Sequence, residues 1–390
     1  MKEVYIISAR RTPIGGFLGN LAGLPATRLG AIAIRSAYEE LGIDPNNIDA
    51  VYMGNVLSAG LGQSPARQSS IFAGISDKAD CTTINKVCAS GMKAAMLGAQ
   101  QIQLGIDQLV MTGGMESMSN VPHYLPLRRT VKLGDTNNTD GLLKDGLTDV
   151  YHQYHMGVAA EKCASTFKLS REQQDEYALS SYAKAAEATN NGKFTREIIP
   201  VKIKESEPMI QFDEDIFKLI PGKVSKLKPA FVENGTITAA NASNLNDSAA
   251  ALLLASKDAV DLYDLKPLAK IIAYADAAQS PEWFTTAPSL AITKALHMAS
   301  LDKKEIDFFE INEAYAAVLL ANQQILGLES KKLNPYGGAI AMGHPLGASG
   351  ARIICTLISV LQQEGGRYGV ASICNGGGGA SAIVIENLFK

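Results

Sequence analysis

Short apolar runs and stretches of helical periodicity alternate along most of the chain. Val4–Ile7, Val51–Met53 and Leu109–Thr112 are apolar runs of strand length. Arg28–Leu41 and Met92–Leu104 carry apolar residues at the spacing of one helix face. Alternation of this kind predicts an α/β fold, with a largely parallel sheet covered by helices on both faces.

The pattern is written twice. Ile43-Asp44 and Ile48-Asp49 lead into the apolar run Ala50–Met53 and then Gly54-Asn55. Much later, Leu301-Asp302 and Ile306-Asp307 lead into Phe308–Ile311 and then Asn312-Glu313. Asp44 and Asp302 are 258 residues apart, and the same offset pairs Ala33, Ile34 and Ala37 with Ala291, Ile292 and Ala295. A second match, at 259 residues, sets Cys88-Ala89-Ser90-Gly91 against Gly347-Ala348-Ser349-Gly350. Two copies of one strand–helix–strand–helix–strand unit predict two sheet layers packed around shared central helices.

The copies differ in one place. In the second, the glycines Gly376–Gly379 lead at once into the apolar run Ala380–Ile385. In the first, Gly113-Gly114 reads as the matching turn, yet no such run follows until Ala249–Ser256. Residues 120–245 therefore read as an insertion, with 1–119 plus 246–268 as the N-terminal half and 269–390 as the C-terminal half. Within the insertion, Thr136–Asp140 is polar turn material. One helix is clear there, opened by Ser170 with Gln173 three residues on as a capping box and running to about Ala188. Lys202, Lys204, Lys218, Lys223, Lys226 and Lys228 are either a solvated face or a landing surface for an anionic ligand.

Composition narrows the function classes. The formal charge of −3 offers no basic face for nucleic acid. The longest apolar stretch, Ala249–Ala255, is too short to span a bilayer, and the opening Met1–Ile7 lacks a signal-peptide core. The five cysteines lack CxxC spacing, which argues against both a metal site and a disulfide framework and favours a reducing cytoplasm.

There, a cysteine can be a working thiol. Cys88 falls between a strand and a helix, where unpaired N–H groups and the macrodipole favour a thiolate. His344 lies in a glycine-rich loop, at the mouth of the repeat-related helix, and is a candidate base. Cys374 ends the last strand but one and reads as the counterpart of Thr112. Asn312 follows another strand and is either a helix cap or an amide that holds a water or an oxyanion. Ligands of open α/β sheets bind at carboxyl strand ends, so the set is expected at one end of the layers.

The segments Asn85–Gly91, Asn312–Ala316, Gly343–Gly350 and Cys374–Gly378 resemble the four signature blocks of the thiolases. The likeness runs end to end, insertion included. It implies a five-layered α-β-α-β-α arrangement built from two repeated halves, with the insertion as a loop domain holding coenzyme A. By this resemblance Cys88 is the nucleophile and His344 takes its proton, later helping to hold a thioester oxygen. Cys374 is the acid/base of the carbon–carbon step, and Asn312 orients a water beside the enolate oxygen. The N–H groups of Cys88 and Gly376 form a second oxyanion hole. Leu147, His155, Met156, Phe231, Ala239, Ser243 and Ala314 are carried over as the lining of the pantetheine and acyl channel.

Tyr154–Gly157 is similar to the short-chain, biosynthetic-type thiolases, which join two acetyl-CoA into acetoacetyl-CoA and free CoA and run the reverse thiolysis. The resemblance further implies a homodimer or homotetramer and no tightly bound cofactor, CoA thioesters being substrates. The chain departs from the pattern at Asn375, Tyr315 and Trp283–Pro288, where Phe284 replaces a Met-Gly wall. No basic residue stands clearly at the adenine position, for which Lys218 and Lys223 are candidates. Alternatives are a degradative 3-ketoacyl-CoA thiolase with a wider pocket, a decarboxylating ketoacyl synthase, and a non-catalytic thiolase-like lipid-binding protein. The synthase usually pairs its cysteine with two histidines, and the lipid binder should have lost its reacting groups.

Overall fold

Side-chain alternation along the strands sorts the core into layers. The computed structural model describes residues 2–126, 128, 133, 135–204 and 206–389. Its principal strands are β1 (Val4–Arg11), β2 (Ala50–Gly54), β3 (Asp80–Ile84), β4 (Leu109–Ser117), β5 (Asn246–Ser256), β6 (Ala269–Ala278), β7 (Phe308–Ile311), β8 (Tyr368–Asn375) and β9 (Gly379–Asn387). The principal helices are α1 (Ala26–Glu39), α2 (Pro65–Ala73), α3 (Ser90–Leu104), α4 (Met156–Thr166), α5 (Arg171–Asn190), α6 (Ala287–Ala299), α7 (Ala316–Leu326) and α8 (Leu346–Glu364).

The strands lie in the order β7-β8-β9-β6-β1-β5-β4-β2-β3. Read outward from the centre, each half follows the same path, and the second half's last position shrinks to a single bridge, Phe309 to Leu333. The halves join where β1 and β6 pair antiparallel through Val4–Ile271, Tyr5–Lys270 and Ile6–Ala269. On β2, Ala50 and Tyr52 face one core while Val51 and Met53 face another. The first of these cores also holds Met92, Met96, Ile353 and Leu357, from α3 and α8, together with Ile373 and Ile383 of the second half-sheet. Thus α3 and α8 are sandwiched between the half-sheets, α1 covers one outer face and α6 the other.

Two glycines make that sandwich possible. A Cβ on Gly91 would lie 2.8 Å from the Gly347 carbonyl oxygen, and one on Gly350 would lie 2.4 Å from the Met92 nitrogen. Both contacts are with backbone, which cannot swing aside, so glycine at these two positions lets the central helices approach to backbone contact.

Three expectations need correction. The sheet is mixed: β2–β3, β2–β4 and β7–β8 are parallel, but β5 and β9 run antiparallel to both principal neighbours. A turn of only Gly376–Gly378 joins β8 to β9, whereas a parallel pair needs a crossover of a dozen or more residues. Second, Gly113 and Gly114 lie inside β4 and make no turn. Their Cβ atoms would meet the carbonyl oxygens of Ala250 and Gly347 at 2.1 and 1.9 Å, so close backbone approach explains the glycines. Third, the register changes a counterpart. Asp49 accepts from Gln108 and Leu109 N–H as Asp307 does from Arg367 and Tyr368, so Cys374 corresponds to Met115 rather than Thr112.

The chain leaves the sheet after Ser117, which pairs with Asp247, and the segment between them occupies the place of the Gly376–Gly378 turn. Within that segment α5 begins as expected, with both hydrogen bonds of the Ser170–Gln173 capping box, and runs to Asn190. Thr139–Asp140, expected to be turn, pairs with His123–Tyr124 as a two-residue strand. Of the clustered lysines, Lys204 pairs with Glu207, and Lys218 with Glu214 and Asp215. Among the described residues no helix is long and apolar enough to cross a membrane.

Candidate active site

Between β3 and α3 the chain turns sharply. Val87 takes φ +48°, a left-handed conformation that a β-branched residue rarely adopts. Side chains hold it there: Asn85 Oδ1 accepts from the Val87 N–H at 3.0 Å, and Ser90 Oγ donates to the Val87 carbonyl at 2.5 Å. Cys88 follows, half-buried at the mouth of α3. Burial pushes its thiol up to about 12, opposed by the backbone N–H groups of Gly376 and of Cys88 itself. The helix mouth was expected to favour a thiolate, but desolvation outweighs it. The resting group is a thiol and needs a base.

His344, the candidate base, lines the same cavity as Cys88. It follows Gly343, at φ +116°, and its N–H donates to Asn246 Oδ1 at 2.9 Å. The ring is buried, with Nδ1 2.7 Å from Ser349 Oγ and Nε2 without a hydrogen-bond partner. Burial first, and then the Arg352 charge, hold its pKa down at about 3, so the imidazole is neutral. Asn312, at the end of β7, is buried with its Nδ2 3.5 Å from His344 Nδ1. Cys374, near the end of β8, is buried, and both desolvation and the neighbouring Cys88 push its thiol well above the usual range.

These groups surround one apolar cavity of about 360 Å³. Cys88, His344 and Gly376 line it together with Leu147, His155, Met156, Phe231, Ala239, Ser243, Phe284 and Ala314. Asn312 and Cys374 do not reach the lining. Asn312 backs His344, and Cys374 packs in the cluster of Phe284, Ala314 and Tyr315. His155 Nδ1 accepts from the Gly157 N–H at 3.0 Å, capping α4, and the ring stacks on Phe231 at 4.6 Å. Phe231 in turn meets Tyr315 edge-on at 5.9 Å. Asn375, one of the departures from the thiolase pattern, donates to the Gly376 carbonyl at 2.8 Å and so braces the glycine turn.

Sequence reasoning missed several contributors. Val87, Met118 and Leu346 also line the cavity, but a single apolar residue carries no signal of its own. Glu116 is buried and accepts from the N–H groups of Val56, Leu57 and Gly347, tying the mouth of α8 to the first half. Ser349 and Arg352 stand behind His344 and Asn312. The repeated Ala-Ser-Gly could have marked Ser349 as a position to examine. No group of three His, Cys, Asp or Glu residues able to hold a metal occurs among the described residues.

Comparison with known proteins gives a consistent picture. Residues 4–258 match the thiolase N-terminal domain and residues 265–387 the thiolase C-terminal domain. Acetyl-CoA acetyltransferase 2 of Arabidopsis thaliana is 52% identical over 393 residues, covering 99% of this chain and 98% of that protein. The cytosolic acetyl-CoA acetyltransferase ERG10 of Gibberella zeae is 52% identical over 393 residues, covering 100% and 99%. The crystal structure of Acat5 thiolase from Ascaris suum in complex with coenzyme A matches with a TM-score of 0.96 and 47% identity, covering 99% of this chain and 100% of that one.

Proposed function

This chain belongs to the thiolase family, and we propose that it is an acetyl-CoA C-acetyltransferase working through an acetyl-Cys88 intermediate. The observation that carries the reading is the convergence of Cys88, His344 and Gly376 on one apolar cavity, with Asn312 and Cys374 directly behind it.

In the first half-reaction the thiol of Cys88 attacks the thioester carbonyl of acetyl-CoA while His344 Nε2 takes its proton. The carbonyl oxygen gains charge between the N–H groups of Cys88 and Gly376, both directed at the reacting sulfur. As the intermediate collapses, Cys374 gives its proton to the departing CoA sulfur and becomes the thiolate. In the second half-reaction that thiolate removes the α-proton of a second acetyl-CoA. The enolate oxygen is held by the Nε2–H of His344 and by a water on Asn312. The enolate carbon attacks the acetyl carbonyl on Cys88, the carbon–sulfur bond breaks, and His344 returns its proton to Cys88. Both cysteines end as thiols and His344 ends neutral.

The insertion, residues 120–245, serves as the coenzyme A-binding part of the N-terminal half, and Leu147, His155, Met156, Phe231, Ala239 and Ser243 hold the pantetheine arm. Phe284 and Ala314 bound the acyl end. The working form is a homodimer or homotetramer, a reading supported by β3, whose outer edge has no paired strand among the described residues. A cytoplasmic location is consistent with the cytosolic relative.

The substrate test is thiolysis of acetoacetyl-CoA against six-carbon 3-ketoacyl-CoA with free CoA. Phe284 is 3% exposed and packs on Tyr315 and Cys374, so its ring cannot yield cheaply. We expect strong preference for the four-carbon substrate, relaxed in Phe284→Ala through kcat/KM for the longer one by about 10-fold or more. Equal wild-type rates would move the enzyme to the degradative reading, and no turnover of either would favour the lipid-binding one.

A further inference from the structure

The hydroxyl of Ser349 has one hydrogen, and the geometry shows where it goes. Ser349 Oγ lies 2.9 Å from the carbonyl of Pro345, which can only accept. The same oxygen lies 2.7 Å from His344 Nδ1; with its hydrogen on the Pro345 carbonyl it accepts there and Nδ1 carries the hydrogen, the Asn312 amide nitrogen at 3.5 Å from Nδ1 being too distant to compete as a donor. A neutral imidazole protonated at Nδ1 has its lone pair on Nε2, the nitrogen left without a partner in a ring that lines the cavity.

The internal repeat supports this wiring independently. Ser90 is the counterpart of Ser349 in the first half, at the 259-residue offset. Its hydroxyl donates to the Val87 carbonyl at 2.5 Å and accepts from the Lys86 backbone N–H at 2.8 Å. In both halves the serine at the central helix mouth lies against a carbonyl just before it, and Ser90 gives its hydrogen to that carbonyl while receiving one from an N–H. In the first half the donor is backbone, which admits one direction only. In the second half that donor is the ring of His344.

We propose that Ser349 is a positioning residue that fixes the tautomer of His344, keeping Nδ1 protonated and Nε2 free to receive the Cys88 proton. A hydroxyl suits the task better than a carboxylate. It orients the ring without adding a negative charge that would hold the proton on the imidazole. Arg352 works in the same direction, for its buried guanidinium has Nε and Nη1 unpartnered and Nη2 3.5 Å from Asn312 Oδ1. A cation there favours return of the borrowed proton to Cys88 when the carbon–sulfur bond breaks.

The inference rests on the proposed reaction, and its test has two arms that separate the two. In the first, ring-labelled histidine NMR on the unaltered protein reads which nitrogen of His344 carries the hydrogen. The resonance is assigned among the five histidines by its loss in His344→Ala. A signal protonated at Nδ1 is expected, and one protonated at Nε2 overturns the proposal whatever the protein catalyses. In the second, Ser349→Ala should slow acetylation of Cys88 by about 100-fold, with KM for acetyl-CoA changed less than about threefold and the Nε2-protonated signal appearing. Wild-type acetylation rates in Ser349→Ala would overturn it. Absence of Cys88 acetylation in the unaltered protein would defeat the proposed reaction alone, leaving the tautomer result standing.

Discussion

At the mouth of α3 a strained valine presents a cysteine, and Ser90 ties the turn together through backbone groups. At the mouth of α8, a glycine occupies the position of that cysteine, and the serine holds a histidine ring instead. The two mouths come from the same repeated stretch and face each other across the Gly91–Gly350 crossing. Packing explains why only one carries a nucleophile. A Cβ on Gly347 would lie 2.8 Å from the Met115 carbonyl oxygen and 2.9 Å from Asn55 Cα. A second cysteine has no room there. In the proposed reaction one half therefore supplies the nucleophile and the other the base, and the asymmetry follows from backbone contacts rather than from surface detail.

The sharpest way to break this comparison is to remove the chemistry of the second half. His344→Ala should lower the rates of both half-reactions by about 10³–10⁴-fold, because proton transfer and enolate stabilisation both pass through it. Cys374→Ser should behave differently. Acetylation of Cys88 should fall by less than about 10-fold, since a CoA thiolate can leave without full protonation, while the carbon–carbon step should fall by about 100-fold or more. Following acetyl incorporation and acetoacetyl-CoA formation separately distinguishes the two. Acylation blocked in Cys374→Ser as completely as in Cys88→Ala would show that the roles are wrongly divided.

A smaller effect tests the packing argument directly. Gly347→Cys would complete the repeat and should destabilise the protein by about 1–3 kcal/mol through overpacking against backbone, seen as a lower unfolding midpoint. An unchanged midpoint would mean the mouth of α8 is looser than the contacts say.

The smallest effect concerns the tie between halves away from the site. Lys86 and Lys93, from the first half, both reach Asp276 on β6, Lys93 at 2.7 Å, and Ser381 donates to the same carboxylate at 2.7 Å. Burial disfavours ionisation of Asp276, but these hydrogen bonds outweigh it and hold the carboxyl down at about 2, against 3.8 for a free aspartate. The native carboxylate binds its proton less readily than the unfolded one, so its contribution is complete above pH 3.8 and is lost as pH falls through about 2. Asp276→Asn should cost about 1 kcal/mol at neutral pH, this site being partly exposed, and variant and parent should converge near pH 2. A difference that persists undiminished at pH 2 would assign the effect to packing.

Much of this was legible in the sequence because repetition and periodicity are local. The repeat located α1 and α6, β2 and β7, and the mouths of α3 and α8, and a capping box located the start of α5. The expected lining residues all meet in one cavity. Other features depend on tertiary facts that pattern does not carry. The glycines of β4 looked like a turn because the backbone that crowds them, Ala250 of β5 and Gly347 of α8, lies more than 130 residues away in the chain. Helix α4 went unseen because its apolar face is mostly alanine and its cap is the ring of His155. The direction of the Cys88 shift was misjudged because a helix mouth is visible in sequence and the depth of burial is not.

The central claim, that Cys88 is the acyl-carrying group of the pair of helix mouths, is tested most directly by intact-protein and peptide mass spectrometry after incubation with acetyl-CoA. One acetyl group per chain, mapped to Cys88 and absent from Cys88→Ala, is the expected result. An acetyl group retained on that variant, or mapped to Cys81 or Cys163, would contradict it.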